Sequence, residues 1–598
     1  MKPYKAASPS QTVHRIRTIL NELRIFTTER HFRREGMYYS CRVYIDNDDI
    51  RRYNIGTNGK GMSAEYALAS AYAELMERLE NRMLIFDIKY ATSWFRQNNK
   101  VALSAAIPEL GHRYFPDETF AEIDAESFRK YCRQFLPNDA KYGMPSIQDG
   151  TKYKMYFSDF FNVNTHQVEN LPYHLIRMAA SSTGLCAGNE PAEAILQGLN
   201  EIFERYVLQQ LYLQRLTPPT IPFSVFDGTE IALRIMQLQK EKGLKIIVKD
   251  CSLGQGFPVI GLMLIDPKTN RYTFRLGADL SPVVALQRCF TEIFQGIESL
   301  DSCLQPILLD DDWDVKLEHD RNVVNGTGRF PRQLFGADFS WQFDGFQLNE
   351  QPTFAKDLQY VSQWLAKKGF TLYLRDNSFL GFPAYHLFVP GLSEIDGSLY
   401  DVTAAIVADN EDFFLVKPEY RLHTLTSKEK SALIKKYVGM SARDITLFPY
   451  NSNVYNGISR ELLLALLSYS EDKDDETYSH MRAFLEEKSK TGNQQSPYYY
   501  CIRDMFYAKS IGYGEQEIIT LLSVIYSETL VKEVLSDMAD RQGVLVNFPF
   551  PTCFQCEKCK IRANCSYLTI VHLENKIQQV QTKVRIDQCD LGKLFESC

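Results

Sequence analysis

Residues Cys186-Ala-Gly-Asn-Glu-Pro-Ala-Glu-Ala-Ile-Leu-Gln-Gly-Leu-Asn-Glu-Ile-Phe-Glu204 align without a gap to Gly277-Ala-Asp-Leu-Ser-Pro-Val-Val-Ala-Leu-Gln-Arg-Cys-Phe-Thr-Glu-Ile-Phe-Gln295. The two share Ala-x-x-x-Pro-x-x-Ala and Glu-Ile-Phe, the pattern of a tight turn entering a helix with proline at its first position. A third copy lies upstream. There, Ser70-x-x-x-Glu74-x-x-Glu77-Arg78 falls in register with Gln197-x-x-x-Glu201-x-x-Glu204-Arg205 and Arg288-x-x-x-Glu292-x-x-Gln295. A unit used three times predicts a pseudo-symmetric α/β core in which equivalent helices cover a sheet and bring equivalent faces together.

Outward from the repeats, hydrophobic period predicts a helix from about His14 to Arg30 and strands at Tyr38 to Ile45 and Arg51 to Ile55. Thr57-Asn58-Gly59-Lys60-Gly61 then reads as a glycine turn before a helix ending near Met83. A loop-rich insertion is expected over 92–149, then strands and helices alternate to about Val407. Beyond it the pattern is helical. The expected organisation is an α/β domain over 1–407, an α-helical, TPR-like region over 408–545, and a cysteine-rich knuckle and tail over 546–598.

Composition excludes several classes. Hydrophobic residues make up 45% of the 598 and charged ones 24%, the proportions of an ordinary folded protein. Lys and Arg total 67 against 74 Asp and Glu, so a net charge of −7 offers no global attraction to nucleic acid or anionic lipid. The start carries no apolar leader, and the longest apolar run, around Pro258 to Leu264, is too short to span a bilayer. A cytoplasmic protein with reduced thiols is expected.

Positions i, i+4 and i+7 share one stripe of a helix, so Glu74 with Glu77 and Glu201 with Glu204 present paired acids along a face. Their neighbours Ala67, Ala71, Leu75, Ala194, Leu199 and Phe203 are apolar, placing the acids where a helix packs. One such face would read as a solvated surface with intrahelical pairs. Three copies in register point instead to a shared site, where converging carboxylates need a cation and Mg²⁺ shared with phosphate oxygens is the economical one. The glycine turns would offer N–H groups to those phosphates, with Lys60 as a mobile counter-charge.

These motifs resemble the YcaO family of ATP-dependent proteins that activate backbone amides, over about Lys5 to Val407. The resemblance implies Mg²⁺ at Glu74, Glu77, Glu201 and Glu204. It implies ATP contacts from Ser70, Asn189, Glu193, Gln197, Arg205 and Arg288, with Lys5 and Thr12 as the family's amino-terminal pair. Cys186 stands where similar standalone members carry serine, and the carboxy-terminus lacks the proline-rich tail of azoline-forming members. The helical tail is most similar to the standalone bacterial type linked to β-methylthiolation of ribosomal protein S12.

Cys553-x-x-Cys556-x-x-Cys559-x-x-x-x-x-Cys565 crowds four soft ligands into thirteen residues, a spacing suited to an iron–sulfur cluster, or failing that zinc. Isolated Cys251 and Cys289 read as core thiols. The function expected is ATP- and Mg²⁺-dependent phosphorylation of a peptide or protein backbone amide, in cyclodehydration or thioamidation-like peptide maturation. Two alternatives stay open: an accessory factor for S12 methylthiolation, and a nucleotide-binding scaffold recruiting a thiolation enzyme. Expected partners are the peptide or protein substrate and a thiolation or leader-binding protein, with a homodimer admitted and no nucleic acid or membrane.

Overall fold

The computed structural model describes residues 4–34, 38–47, 51, 55–84, 115, 117–140, 144, 147–295, 300–310, 312–395, 422–440, 444–445, 458–490, 495–548, 550, 557, 559–560, 562–564 and 567–596. Contacts divide the chain into two compact units, one of 1–413 with 572–598 and the other of 414–571. The carboxy-terminal 27 residues therefore pack within the first unit, although the second unit separates them from it in sequence.

The first unit is α/β, with three antiparallel sheets among its described residues. Strands Thr27–Arg34, Tyr38–Ile45 and Gly56–Gly61 form the first in that order. A second runs Gln305–Pro306, Arg271–Ala278, Val259–Asp266, Lys245–Asp250, Thr220–Ile221, and a third contains Thr119–Asp124, Lys152–Asn162, Tyr373–Asp376, Ala384–Phe388 and Leu185–Ala187. Four helices carry the site: α1 (Pro9–Glu22), α2 (Ala64–Glu80), α3 (Pro191–Leu213) and α4 (Pro282–Ile293). Each repeat is a strand running into its helix: Gly56–Gly61 into α2, Leu185–Ala187 into α3 and Arg271–Ala278 into α4. The three copies thus sit on three separately hydrogen-bonded sheets.

Several local expectations change. The stretch 92–149, expected as loops, holds strand Thr119–Asp124 and helix Ala125–Phe135, and of the strand expected at Arg51 to Ile55 residues 52–54 lie outside the described residues. The helix predicted to Arg30 stops at Glu22, and Thr27–Arg34 is a strand paired with Tyr38–Ile45 from Thr27↔Ile45 to Arg34↔Tyr38. Thr57-Asn58-Gly59-Lys60-Gly61 is not a turn but a strand laddered to residues 39–43, so its backbone serves the sheet rather than a phosphate. The glycines answer to packing. A Cβ on Gly59 would lie 2.0 Å from the Ala67 carbonyl oxygen and 2.3 Å from the Ala71 amide of α2. Gly277 has the same relation to α4, with Ala285 oxygen at 2.4 Å and Cys289 nitrogen at 2.8 Å. Both partners lie eight and twelve residues on.

The middle copy inverts the pair. Cys186 occupies the strand position and Gly198 the helix position twelve residues on, where a Cβ would meet Cys186 Sγ at 3.0 Å. Fully buried Cys186 is therefore the packing counterpart of Gly59 and Gly277 rather than an exposed ligand-facing thiol.

The second unit is helical, with Ser427–Val438, Arg460–Ser470, Asp474–Lys490, Pro497–Ser510, Glu515–Ile525 and Glu528–Asp537 among its described helices. They bury an apolar core that includes Leu463, Leu466, Phe484, Ile502, Phe506 and Leu522. Glu515–Ile525 and Glu528–Asp537 are separated at Tyr526, whose extended backbone precedes Ser527, the N-cap of the next helix.

Candidate functional site

The three repeat faces converge in the first unit. Arg288 of α4 donates to Gln197 Oε1 of α3 and to the Ala278 carbonyl at 2.7 Å. Lys60, on the strand before α2, is paired with Glu292 of α4, and Gln295 donates to the Asn58 carbonyl at 2.9 Å. Positions named in all three copies are thereby joined across copies. Within α2, Arg78 lies 3.7 Å from Glu74 and 3.5 Å from Glu77, and within α3 Arg205 lies 3.9 Å from Glu201 and donates to the Val323 carbonyl.

The electrostatics record a crowded site. Burial pushes the Glu77 carboxyl well above its usual range against the pull of Arg78, with Glu201 and Glu74 adding to the rise. Glu201 is raised by burial, opposed by Arg205 and Arg78 and reinforced by Glu204 and Glu74. Withdrawal from water lowers the Lys60 ammonium to about 8; Glu204 and Glu74 resist this, while Arg288 and Arg205 add to it. The acids of α2 and α3 are therefore within each other's field, as three registered stripes require.

A second cluster holds the amino-terminal arm on the start of α3. Glu193, 5% exposed, receives the Ala6 amide at 3.2 Å, the Asn189 amide and side-chain amide at 3.3 Å each, and the Lys5 ammonium at 3.4 Å. Thr12 donates to Asn189 Oδ1 at 2.7 Å. Lys5, Thr12, Asn189 and Glu193 are thus one group, and Ser70 is a half-buried residue on α2 one turn before Glu74.

Two arginines were not singled out in the sequence. Arg42, on a strand, donates to Asn58 Oδ1 at 3.1 Å and lies in the field of Glu74. Arg275 lies on the strand before α4, in the field of Glu204. Their only signal is an arginine inside an apolar strand, which pattern alone cannot aim.

The donor set suits Mg²⁺: hard carboxylate oxygens, of which Glu77 and Glu201 are raised first by burial and then by neighbouring acids, so that a cation would relieve both. Among the described residues no three acidic, histidine or cysteine groups close into a preformed cage. Mg²⁺ needs none, because it is ordinarily held by one or two carboxylates together with phosphate oxygens and water. Cys553, Cys556 and Cys565 lie outside the described residues, and Cys559 is half-buried.

Residues 58–393, more than half of the chain, match the family model described as YcaO cyclodehydratase, ATP- and Mg²⁺-binding. The chain is 27% identical over 345 residues to the ribosomal protein S12 methylthiotransferase accessory factor YcaO of Escherichia coli K12, 57% of each chain. It is 28% identical over 366 residues to an uncharacterized protein of Haemophilus influenzae, 59% of each. The match spans less than two thirds of either relative's length. Among solved structures, YcaO from Methanopyrus kandleri bound with AMPPCP and Mg²⁺ aligns at a TM-score of 0.43 and 17% identity, over 66% of this chain and 93% of that one. Three registered strand–helix units with their acids turned together, and a family match that spans all three, establish that the chain belongs to the YcaO family.

Proposed function

We propose that the converged faces of α2, α3 and α4 bind Mg-ATP and use it to phosphorylate the oxygen of a peptide or protein backbone amide. The observation that carries this reading is the joining of the three copies through Lys60–Glu292 and Arg288–Gln197 around Glu77 and Glu201, which burial and the neighbouring acids raise. Mg²⁺, held by Glu74, Glu77, Glu201 and Glu204, would screen the phosphate oxygens when bound. Lys60, Arg205 and Arg288 would hold the transferring phosphoryl group and its developing charge. Ser70, Gln197 and the cluster of Lys5, Thr12, Asn189 and Glu193 would position the nucleotide.

The chemistry asks no nucleophile of the chain. A thiol, hydroxyl or sulfide adds to the carbonyl carbon, the resulting oxyanion attacks the γ-phosphorus with loss of ADP, and phosphate then departs with the former amide oxygen. Buried Cys251 and Cys289, whose thiols burial pushes well above their ordinary range, stay outside this scheme. Incubation with Mg-ATP and a cysteine-containing peptide labelled with ¹⁸O at the backbone carbonyl should place the label in released phosphate. ATP turnover with no label transfer would favour the second reading, an accessory factor for S12 methylthiolation, for which the Escherichia coli relative speaks. A cytoplasmic location accompanies both readings; among the described residues no helix is long and apolar enough to cross a membrane.

The cysteine run is proposed as a separate metal knuckle, iron–sulfur or zinc. Anaerobically purified protein should carry about one such site per chain by the four-ligand count. Joint replacement of Cys556 and Cys559 by serine should release the metal with nucleotide affinity retained. Elemental analysis finding neither iron nor zinc would refute the knuckle.

A further inference from the structure

The carboxy-terminal segment, 572–598, belongs to the first unit and reaches Arg82, two residues past the end of α2, the helix that carries Glu77. Three residues past Glu77, the fully buried Glu80 accepts from the Leu380 amide at 2.8 Å. Next comes Asn81, the C-cap. Its side-chain amide donates to the Glu77 carbonyl at 2.9 Å, and its Oδ1 accepts from Asn377 at 2.8 Å. Arg82 then turns into left-handed backbone at φ 57° and, 3% exposed, donates to Gln581 Oε1 of the returning segment at 2.8 Å. The last turn and C-cap of α2 are thus held from outside by the 377–380 loop, and the turn that follows them by Gln581 on Arg82.

The same segment holds that loop. Gln588 accepts from the Asp376 amide at 2.8 Å and donates to the Asp376 carbonyl at 3.1 Å, a reciprocal pair at the end of the Tyr373–Asp376 strand. Asn377 is held further by Arg375 Nε at 3.0 Å, and Arg375 by Asp117 at 2.6 Å. Leu591 sits in the main core, and Phe595 stacks on Phe161 at 6.5 Å between ring centres, so the segment is docked at points from Gln581 to Phe595.

We infer that residues 572–598 are a built-in positioning element: through Gln581 on Arg82 and Gln588 on Asp376, they set the turn of α2 that presents Glu77 to the metal. This rests on the Mg-ATP reading of the site. Groups that orient metal ligands from behind typically change metal affinity 10- to 100-fold when removed, because a ligand displaced by a fraction of an ångström is misaligned for a metal with strict geometry. Gln581 and Gln588 touch no candidate ligand, so they are positioning residues.

The test uses the full-length chain, Mn²⁺ as the probe and a non-hydrolysable ATP analogue, with free Mn²⁺ read by electron paramagnetic resonance. Gln581→Met should raise the Mn²⁺ Kd about 10-fold while metal-free analogue affinity moves less than about 2-fold, and Gln581→Glu, which keeps an acceptor for Arg82, should restore it. Where Gln581→Met does not fold, Gln588→Met reads the same coupling from the loop side. Mn²⁺ affinity unchanged in a folded variant, or metal-free affinity falling in parallel, would overturn the inference alone. Absence of Mn²⁺ binding in the unaltered chain would overturn the nucleotide-site reading, and this inference with it.

Discussion

Replacing Glu201 or Glu204 by alanine should reduce Mg-ATP turnover by on the order of 10²-fold or more while the fold persists. Glu201 lies where charge is costly. Glu201 is raised by burial and by Glu204 and Glu74, so its removal relieves repulsion in the metal-free chain, and the melting temperature should hold or rise. A residue kept for packing would show the opposite, a loss of stability with activity falling in proportion. Calorimetric nucleotide binding, ATP hydrolysis and thermal melts of the same samples separate the two; unchanged affinity and turnover in both variants would sink the site assignment.

Proton linkage gives this prediction a second arm. Glu77 and Glu201 have folded-state values above the ordinary 4.5. An acid raised in this way contributes stability that is full below the ordinary value and is lost as pH rises through the raised one. The metal-free chain should therefore lose this contribution as pH climbs above about 4.5. Mg²⁺ with nucleotide competes with those protons, so the melting-temperature gain from Mg-nucleotide should widen with pH in the unaltered chain. It should widen less in Glu201→Ala.

The second large effect concerns the strand–helix contact of the repeats. Gly59→Ala should cost about 3 kcal/mol or more, beyond the usual range for overpacking, because its Cβ meets backbone atoms of α2 at 2.0 and 2.3 Å and backbone cannot rotate away. Cys186 and Gly198 allow a cleaner test. Gly198→Cys crowds Cys186 and should cost about 1–3 kcal/mol. Cys186→Gly empties a buried site and loosens a strand, for a similar loss. Together they recreate the arrangement of Gly277 and Cys289, and the double variant should recover at least half of the summed loss. Denaturant melts of the four proteins give the coupling; strictly additive losses would refute the equivalence of the copies.

Helix and strand existence was legible wherever the period was sustained. Strand Tyr38–Ile45 stands at its expected bounds, and the helix expected to end near Met83 ends at Glu80. Failures came where a local signal had two meanings. Gly59-Lys60-Gly61 has turn composition, yet glycine is also what a strand needs where a helix lies directly on it. Residues 27–30 continue a helix-compatible pattern, but they pair with residues 42–45 as a strand, a long-range ladder that local period does not encode.

The sequence by itself determined that one glycine-bearing segment followed by a helix occurs three times and that these helices carry acids and their partners at a common register. Those facts depend only on spacing along the chain, which the 3.6-residue period converts to a shared face. Only the tertiary structure decided which atoms meet across copies: Lys60 with Glu292, Arg288 with Gln197, and the fields of Arg42 and Arg275 on Glu74 and Glu204. It alone decided that Cys186 is the packing partner of Gly198, and that Gln581 and Gln588 come back from the far end of the chain to Arg82 and Asp376. The reason is physical: contacts between residues hundreds of positions apart follow from how whole sheets and helices bury their apolar faces, and no local period encodes that choice.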